Sequence, residues 1–205
     1  MWGMTPELGK WSRIVAADPE HSHRFVQRFR MMAAQGRDIV GEARTVHALV
    51  APGSRVLDAG CGMGRHSGHL HELGHAVVGV DVDPVLIEAA EQDNPGPTYV
   101  VQDLAGLDLP AVGIEEPFDA ILSAGNTQTF LHPSTRVDVL ERMRRHLADE
   151  GRIVVGFAAG RGYEFGEFLG DVEAAGLVLD SPFSSWDLRP FRRDSGFLVA
   201  LLSPA

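Results

Sequence analysis

From Ser54 onward the chain alternates short apolar runs with stretches whose apolar residues recur at helical spacing. The runs are "RVLDAG" (55 to 60), "AVVGVD" (76 to 81), "TYVVQD" (98 to 103), "FDAILSA" (118 to 124), "GRIVVGF" (151 to 157), "LVLDSPF" (177 to 183) and "GFLVALLS" (196 to 203). Helices are expected between them over 64 to 73, 84 to 92, 134 to 147 and 166 to 175. The first five runs are almost continuously apolar, as strands covered by helices on both faces must be. Only "SSWDLRPFRRDS" separates the last two, so these are expected to pair as an antiparallel hairpin at one edge. The pattern predicts an α/β fold built on a doubly wound, mostly parallel sheet of seven strands with helices on both faces.

Before residue 54 the pattern is helical throughout. Asp18-Pro19 reads as an N-cap followed by proline in the first helical position, and Phe25, Val26, Phe29, Met32 and Ala33 follow at helical spacing. Ile39, Ala43, Val46 and Val50 mark a second helix, which Pro52-Gly53 ends. The expected organisation is an N-terminal helical extension over 1 to 53, a candidate lid for a substrate, and one sheet domain over 54 to 205.

Bulk properties narrow the function. At 205 residues, 44% hydrophobic and 22% charged, the chain suits a globular fold rather than disorder. A formal net charge of −10 repels phosphate backbones and disfavours a nucleic-acid partner. Cys61 is the lone cysteine, which excludes an internal disulfide framework and points to a reducing, cytoplasmic setting. The start "MWGMTPELGKWSRIV" lacks a basic-then-apolar leader, and no run approaches the roughly 18 apolar residues of a membrane span. No feature of the sequence points to an oligomeric state.

The chemistry is concentrated after the first strand, in "DAGCGMGRHSGH" (58 to 69). In a doubly wound sheet, ligands bind beyond the carboxyl ends of the strands near the switch in strand order. Gly60, Gly62 and Gly64 follow the first strand there and let backbone approach a ligand closely. Asp58 ends that strand, and Asp81 ends the next, where a carboxylate can accept from both hydroxyls of a ribose. A pyrophosphate at the loop would face Asp58, and a like-charge pair at about 4 Å costs roughly 4 kcal/mol at an effective dielectric near 20. The acid therefore favours a cationic ligand without phosphates.

These motifs resemble the class I S-adenosylmethionine-dependent methyltransferases, a Rossmann-like family. The matching text is "VLDAGCGMGRHSGHL", "VVGVDVDPVLIEAA", "YVVQDL", "FDAILSAGNTQTFL" and "RRHLADEGRIVVGF", in the family's order. The resemblance implies S-adenosyl-L-methionine as cofactor, with Gly60, Gly62 and Gly64 against its methionine half and Asp58 steering its ammonium. It further implies that Asp81 holds the ribose with Val82 packed nearby. Asp103 and the backbone of Leu104 would meet the adenine, and Ala124, Gly125 and Asn126 would line the end beside the transferred methyl.

Other residues invite chemistry and are read as structure. His66, His69, His71 and His75 do not converge as a metal site on a helix starting near Gly64, so no metal is expected; a solvated face is, with Leu70 and Leu73 as the buried stripe. Cys61 inside the glycine turn reads as packing rather than a nucleophile. Every basic residue except Lys10 is arginine. Arg24, Arg28, Arg30 and Arg37 lie in the N-terminal helices, and Arg189, Arg192 and Arg193 in the final connection, where a guanidinium could grip an anionic substrate. The plainer reading there is a solvated loop.

Candidates for a general base at the ligand edge are His132, Tyr163 and Glu164. "GNTQTFL" lacks the Asn/Asp-Pro-Pro-aromatic run of enzymes that methylate base amino groups and is similar to a stretch in some small-molecule N-methyltransferases. Three readings stand at this point: methyl transfer to a small-molecule substrate, methyl transfer to RNA or protein, and a dinucleotide-binding Rossmann-like protein.

Overall fold

The structure is a computed structural model that describes residues 7–205. The leaderless reading of the N-terminus falls in part on residues 1–6, outside the described residues. Seven strands form one sheet: β1 (Arg55–Ala59), β2 (Ala76–Asp81), β3 (Thr98–Val101), β4 (Phe118–Ser123), β5 (Leu147–Ala158), β6 (Leu177–Phe183) and β7 (Phe197–Pro204). Their order is β3-β2-β1-β4-β5-β7-β6. The five strands β3, β2, β1, β4 and β5 run parallel to one another, and β7 lies antiparallel between β5 and β6. The order reverses between β1 and β4, so the crevice at their carboxyl ends is the position where such sheets bind ligands.

Both faces of the sheet are covered, as its apolar strands require. Leu57 and Ala59 of β1 join one core with Val139, Leu140 and Met143 of α6 (Arg136–Arg145) and Phe168 and Val172 of α7 (Phe165–Ala174). Val56, the alternate residue, joins the opposite core with Ala43 and Val46 of α3 (Gly41–Leu49) and Leu70 of α4 (Arg65–Glu72). A third cluster unites Val26 of α2 (His21–Ala34) with Met63 of the glycine turn and Leu86 and Ala89 of α5 (Pro84–Asp93), with Trp11 of α1 (Lys10–Ala17) packed against it. The helices α1 and α2 thus rest on α5 and the glycine turn, whereas α3 rests on the sheet.

Several sequence expectations are corrected. Among the described residues three helices, not two, precede β1, and Asp18 caps no helix start. It closes α1, giving its N–H to Ile14, and its carboxylate pairs with Arg24 on the surface. The stripe read on α2 buries Val26 and polar Ser22 but leaves Ala33 exposed. Strand β3 stops at Val101, so Asp103 lies beyond it and caps a 3-10 turn over Leu104–Gly106. The helix expected over 134 to 147 is a 3-10 turn at Pro133–Thr135 followed by α6, and β5 begins at Leu147 with an irregularity in its pairing to β4. On α4, Leu70 is fully buried but Leu73 is 38% exposed. His66 and His75 are buried rather than solvated, because Glu42 of α3 covers His66 and His47 of α3 covers His75.

Candidate active site

The glycine turn is fastened before any ligand is considered. Both Gly60 and Cys61 donate their N–H groups to the carbonyl of Val80, at 2.8 and 3.0 Å, which ties the turn to the end of β2. Gly60 has φ +85°, and a Cβ there would lie 2.4 Å from Cγ2 of Thr127; at Gly64, with φ +76°, it would lie 2.5 Å from the Tyr99 hydroxyl. Only glycine satisfies both the left-handed backbone and the close approach. The contact with Thr127 also brings the turn against the segment after β4. Gly62 faces the third cluster, where the Phe25 ring would stand 3.7 Å from an added Cβ.

Two carboxylates flank this turn. Asp58 is fully buried; its Oδ2 accepts from the Ser67 hydroxyl at 2.7 Å, and its Oδ1 has no partner among the described residues. Burial pushes its pKa up, against the pull of His66, Ser67 and Arg65. A buried acceptor left unpaired costs about 1–3 kcal/mol, more when charged, so this oxygen suits a donor brought by a ligand. Asp81 accepts from the Gly62 N–H at 2.9 Å and from the Asp83 N–H at 3.0 Å, one on each oxygen. Burial nonetheless raises its pKa to about 6, with the Asp83 and Asp58 charges adding to the rise. Each of its oxygens keeps a second lone pair for further donors.

The remaining expected positions are placed as follows. Val82, half-buried, continues directly from Asp81. Asp103 accepts from the Ala105 N–H at 2.9 Å, and Leu104 beside it is buried. Ala124 is buried, and Gly125 and Asn126 turn the chain with φ of +66° and +68°. The Asn126 side-chain oxygen accepts from the Ala158 N–H at 2.8 Å and so pins the end of β4 to the end of β5. Asp58, the glycines, Asp81 and residues 124–126 therefore gather at the carboxyl ends of adjacent strands β2, β1 and β4, with Asp103 just past β3.

The three candidate bases separate cleanly. Tyr163 is fully buried, gives its hydroxyl proton to Asp171 at 2.6 Å, and stacks on Phe157 in the core. Burial and the Asp171 carboxylate push its pKa upward, so it takes up no proton from a substrate. Glu164 forms a capping box with Glu167 at the start of α7. His132 follows the Thr127–Phe130 turn; its Nδ1 accepts from the Ser134 N–H at 3.3 Å, and its Nε2 lies 2.7 Å from the Glu7 carboxylate. The Cys61 thiol is buried and burial pushes its pKa well up, in keeping with packing. Among the described residues, no three His, Cys, Asp or Glu side chains group as a metal site, and no helix is long and apolar enough to cross a membrane. Arg24 and Arg30 pair with Asp18 and Asp93, Arg189 pairs with Asp187, and Arg192 and Arg193 are exposed.

One part of the site escaped the sequence reading. Asp83 caps α5 by accepting from the Val85 N–H at 2.9 Å, and its other oxygen accepts from the Trp11 indole at 2.8 Å and from the Ser22 hydroxyl. The signal was present: Asp83-Pro84 is the Asp-Pro helix start that was read at Asp18-Pro19. Trp11 also meets Phe25 and Phe130 edge-on, with ring centroids 5.3 and 5.7 Å away, so α1 and α2 form an aromatic cover beside the glycine turn.

Residues 56–151 match a family model described as a methyltransferase domain. A TehB-like SAM-dependent methyltransferase from Corynebacterium glutamicum is 46% identical; its solved structure superposes with a TM-score of 0.87 over 92% of this chain and 100% of that one. The ribosomal protein L11 methyltransferase of Symbiobacterium thermophilum is 39% identical over 114 residues, 54% of this chain and 34% of its own length. The magnesium-protoporphyrin O-methyltransferase of Rhodobacter capsulatus is 36% identical over 89 residues, 42% of this chain and 36% of its own. The chain spans about a third of the length of these two curated relatives. With the glycine turn, the two buried carboxylates and the sheet order in place, the 46% identity over nearly the whole chain decides the assignment: the chain belongs to the S-adenosylmethionine-dependent methyltransferases.

Proposed function

We propose that the chain transfers a methyl group from S-adenosyl-L-methionine to a small-molecule acceptor by in-line displacement. The observation that carries this reading is the aromatic cover: Trp11, Phe25 and Phe130 close beside the glycine turn, which suits an acceptor that can be enclosed. An RNA acceptor would have to bring its phosphates to a chain carrying a net charge of −10. The relatives named above include one acting on a protein and one acting on a porphyrin, so family membership alone does not choose the acceptor.

The residues present fit the cofactor. The unpaired Oδ1 of Asp58 is an acceptor for the ammonium group, and the spare lone pairs of Asp81 are acceptors for the ribose hydroxyls. The glycine turn would take the methionine half, Asp103 and the Leu104 backbone the adenine, Val82 the side of the ribose, and Ala124, Gly125 and Asn126 the end that carries the methyl. When bound, the sulfonium supplies an electrophilic methyl together with its own leaving group. What this chain must add is alignment and the exclusion of water, and α1 and α2 act as the lid that provides both. His132 is the candidate general base at this edge: Glu7 beside Nε2 would stabilise its imidazolium, and Nδ1 takes a proton only once it gives up the Ser134 N–H and hydroxyl that it now holds. A lone, buried, free cysteine supports a reducing, cytoplasmic setting.

Two measurements test the reading. Calorimetry should show S-adenosylhomocysteine binding and no response to NAD; the reverse pattern overturns the cofactor site. Labelled methyl from the cofactor, incubated with the protein and a cell extract, should appear in the small-molecule fraction. Label confined to protein or RNA overturns the acceptor class.

A further inference from the structure

We propose that Asp83 is a positioning residue that latches the α1–α2 cover to Asp81, so that closing the cover and setting the ribose acid are one event. The proposal rests on the reading of Asp81 as the ribose holder given above. Four hydrogen bonds involve the carboxylate and the N–H of Asp83. Its Oδ1 caps α5 through the Val85 N–H, and its own N–H fixes Oδ1 of Asp81 at 3.0 Å. Its Oδ2 takes both the Trp11 indole N–H and the Ser22 hydroxyl.

The cap alone does not explain these contacts. A helix start needs a single side-chain oxygen, which serine, threonine or asparagine supplies without a buried charge. Asp83 is a carboxylate only 4% exposed, and its second oxygen is satisfied wholly by residues of α1 and α2. Burying that oxygen is costly unless those donors are in place. Ser22 is fully buried on the same helix face as Val26, where a hydroxyl is explained by the bond it donates.

Beyond Asp83, the cover is held by apolar packing and an ion pair: Trp11, Phe25, Val26 and Phe29 lie in the third cluster, and Arg30 pairs with Asp93 of α5. α1 itself has no buried residue, and Ser22 and Val26 are those that α2 buries. Covers of binding sites open by releasing contacts of this kind. The two bonds at Asp83 are the polar part of that attachment, and the Asp83 N–H joins them to Asp81.

Asp83→Asn tests the latch, because it keeps an oxygen for the Val85 N–H and sets an NH2 group against the Trp11 and Ser22 donors. Trp11→Phe and Ser22→Ala remove one donor each and keep the packing, which covers the case in which the asparagine variant does not fold. Release of labelled S-adenosylhomocysteine into an excess of unlabelled ligand should be at least tenfold faster in Asp83→Asn and Trp11→Phe, and the double variant should be no faster than Asp83→Asn alone. Ligand should protect the arginines of α1 and α2 from trypsin in the wild type and not in Asp83→Asn. Unchanged release and unchanged protection with a lowered melting temperature would show a helix cap and nothing more, and would overturn the latch. If instead Asp81→Asn leaves the affinity for S-adenosylhomocysteine untouched, the ribose reading itself has failed.

Discussion

The Asp81→Asn variant is expected to gain stability relative to wild type as the pH of the ligand-free protein rises from 4 to 8, while its hold on S-adenosylhomocysteine weakens. The carboxyl titrates at its ordinary value of 3.8 in the unfolded chain and near about 6 in the fold, where burial opposes the charge. Between those values the unfolded chain has lost the proton and the folded chain keeps it. Stability therefore falls as pH rises through that window and stays low above it. The gap corresponds to about 3 kcal/mol, already net of the bonds from Gly62 and Asp83. Asparagine carries no charge at any pH, and its NH2 group faces one of the Gly62 and Asp83 N–H donors, a cost that does not change with pH. Its stability relative to wild type, measured by urea unfolding, should grow by about 3 kcal/mol between pH 4 and pH 8. Loss of charge-assisted bonds to the ribose, at about 1.5–3 kcal/mol each, should weaken calorimetric binding of S-adenosylhomocysteine ten- to a hundredfold or more. A stability difference that is flat across pH, or that shrinks toward pH 8, would refute the claim that this acid is held ionised at the expense of the fold.

The other expectations are narrower. Gly60→Ala should cost about 1–2 kcal/mol from the left-handed backbone alone, and more from its overlap with Thr127, seen as a lower unfolding midpoint together with lost cofactor binding. Gly160→Ala, with positive φ but open space around it, should show only the backbone cost. His132→Asn should lower kcat about a hundredfold or more while leaving calorimetric affinity for S-adenosylhomocysteine within twofold; unchanged kcat would remove His132 from proton transfer. Tyr163→Phe should leave the kcat of the folded enzyme unaltered and lower stability by about 1–3 kcal/mol, because Asp171 loses its donor.

The parallel sheet was legible because strands covered on both faces must be nearly continuous in apolar residues, as β1, β2, β4 and β5 are; β3, at the edge, has no buried residue. Asp58, Asp81 and the glycines were legible because their spacing is set by strand ends. Residues whose environment comes from distant chain were not. Tyr163 reads as a base by position, yet α7 closes over it and Asp171 takes its proton. His66 and His75 read as solvated until α3 arrives from outside the local pattern. Asp83 depends on donors 61 and 72 residues away, a pairing that no local periodicity encodes.

The place of β7 carries a consequence for the edge of the sheet. β6 reaches the sheet only through β7, which lies between it and β5 and buries Leu198 to Leu202 in doing so. Without β7 the flank of β5 would be an unpaired edge and β6 would have no partner, so residues 197–204 close that side of the sheet for both strands at once.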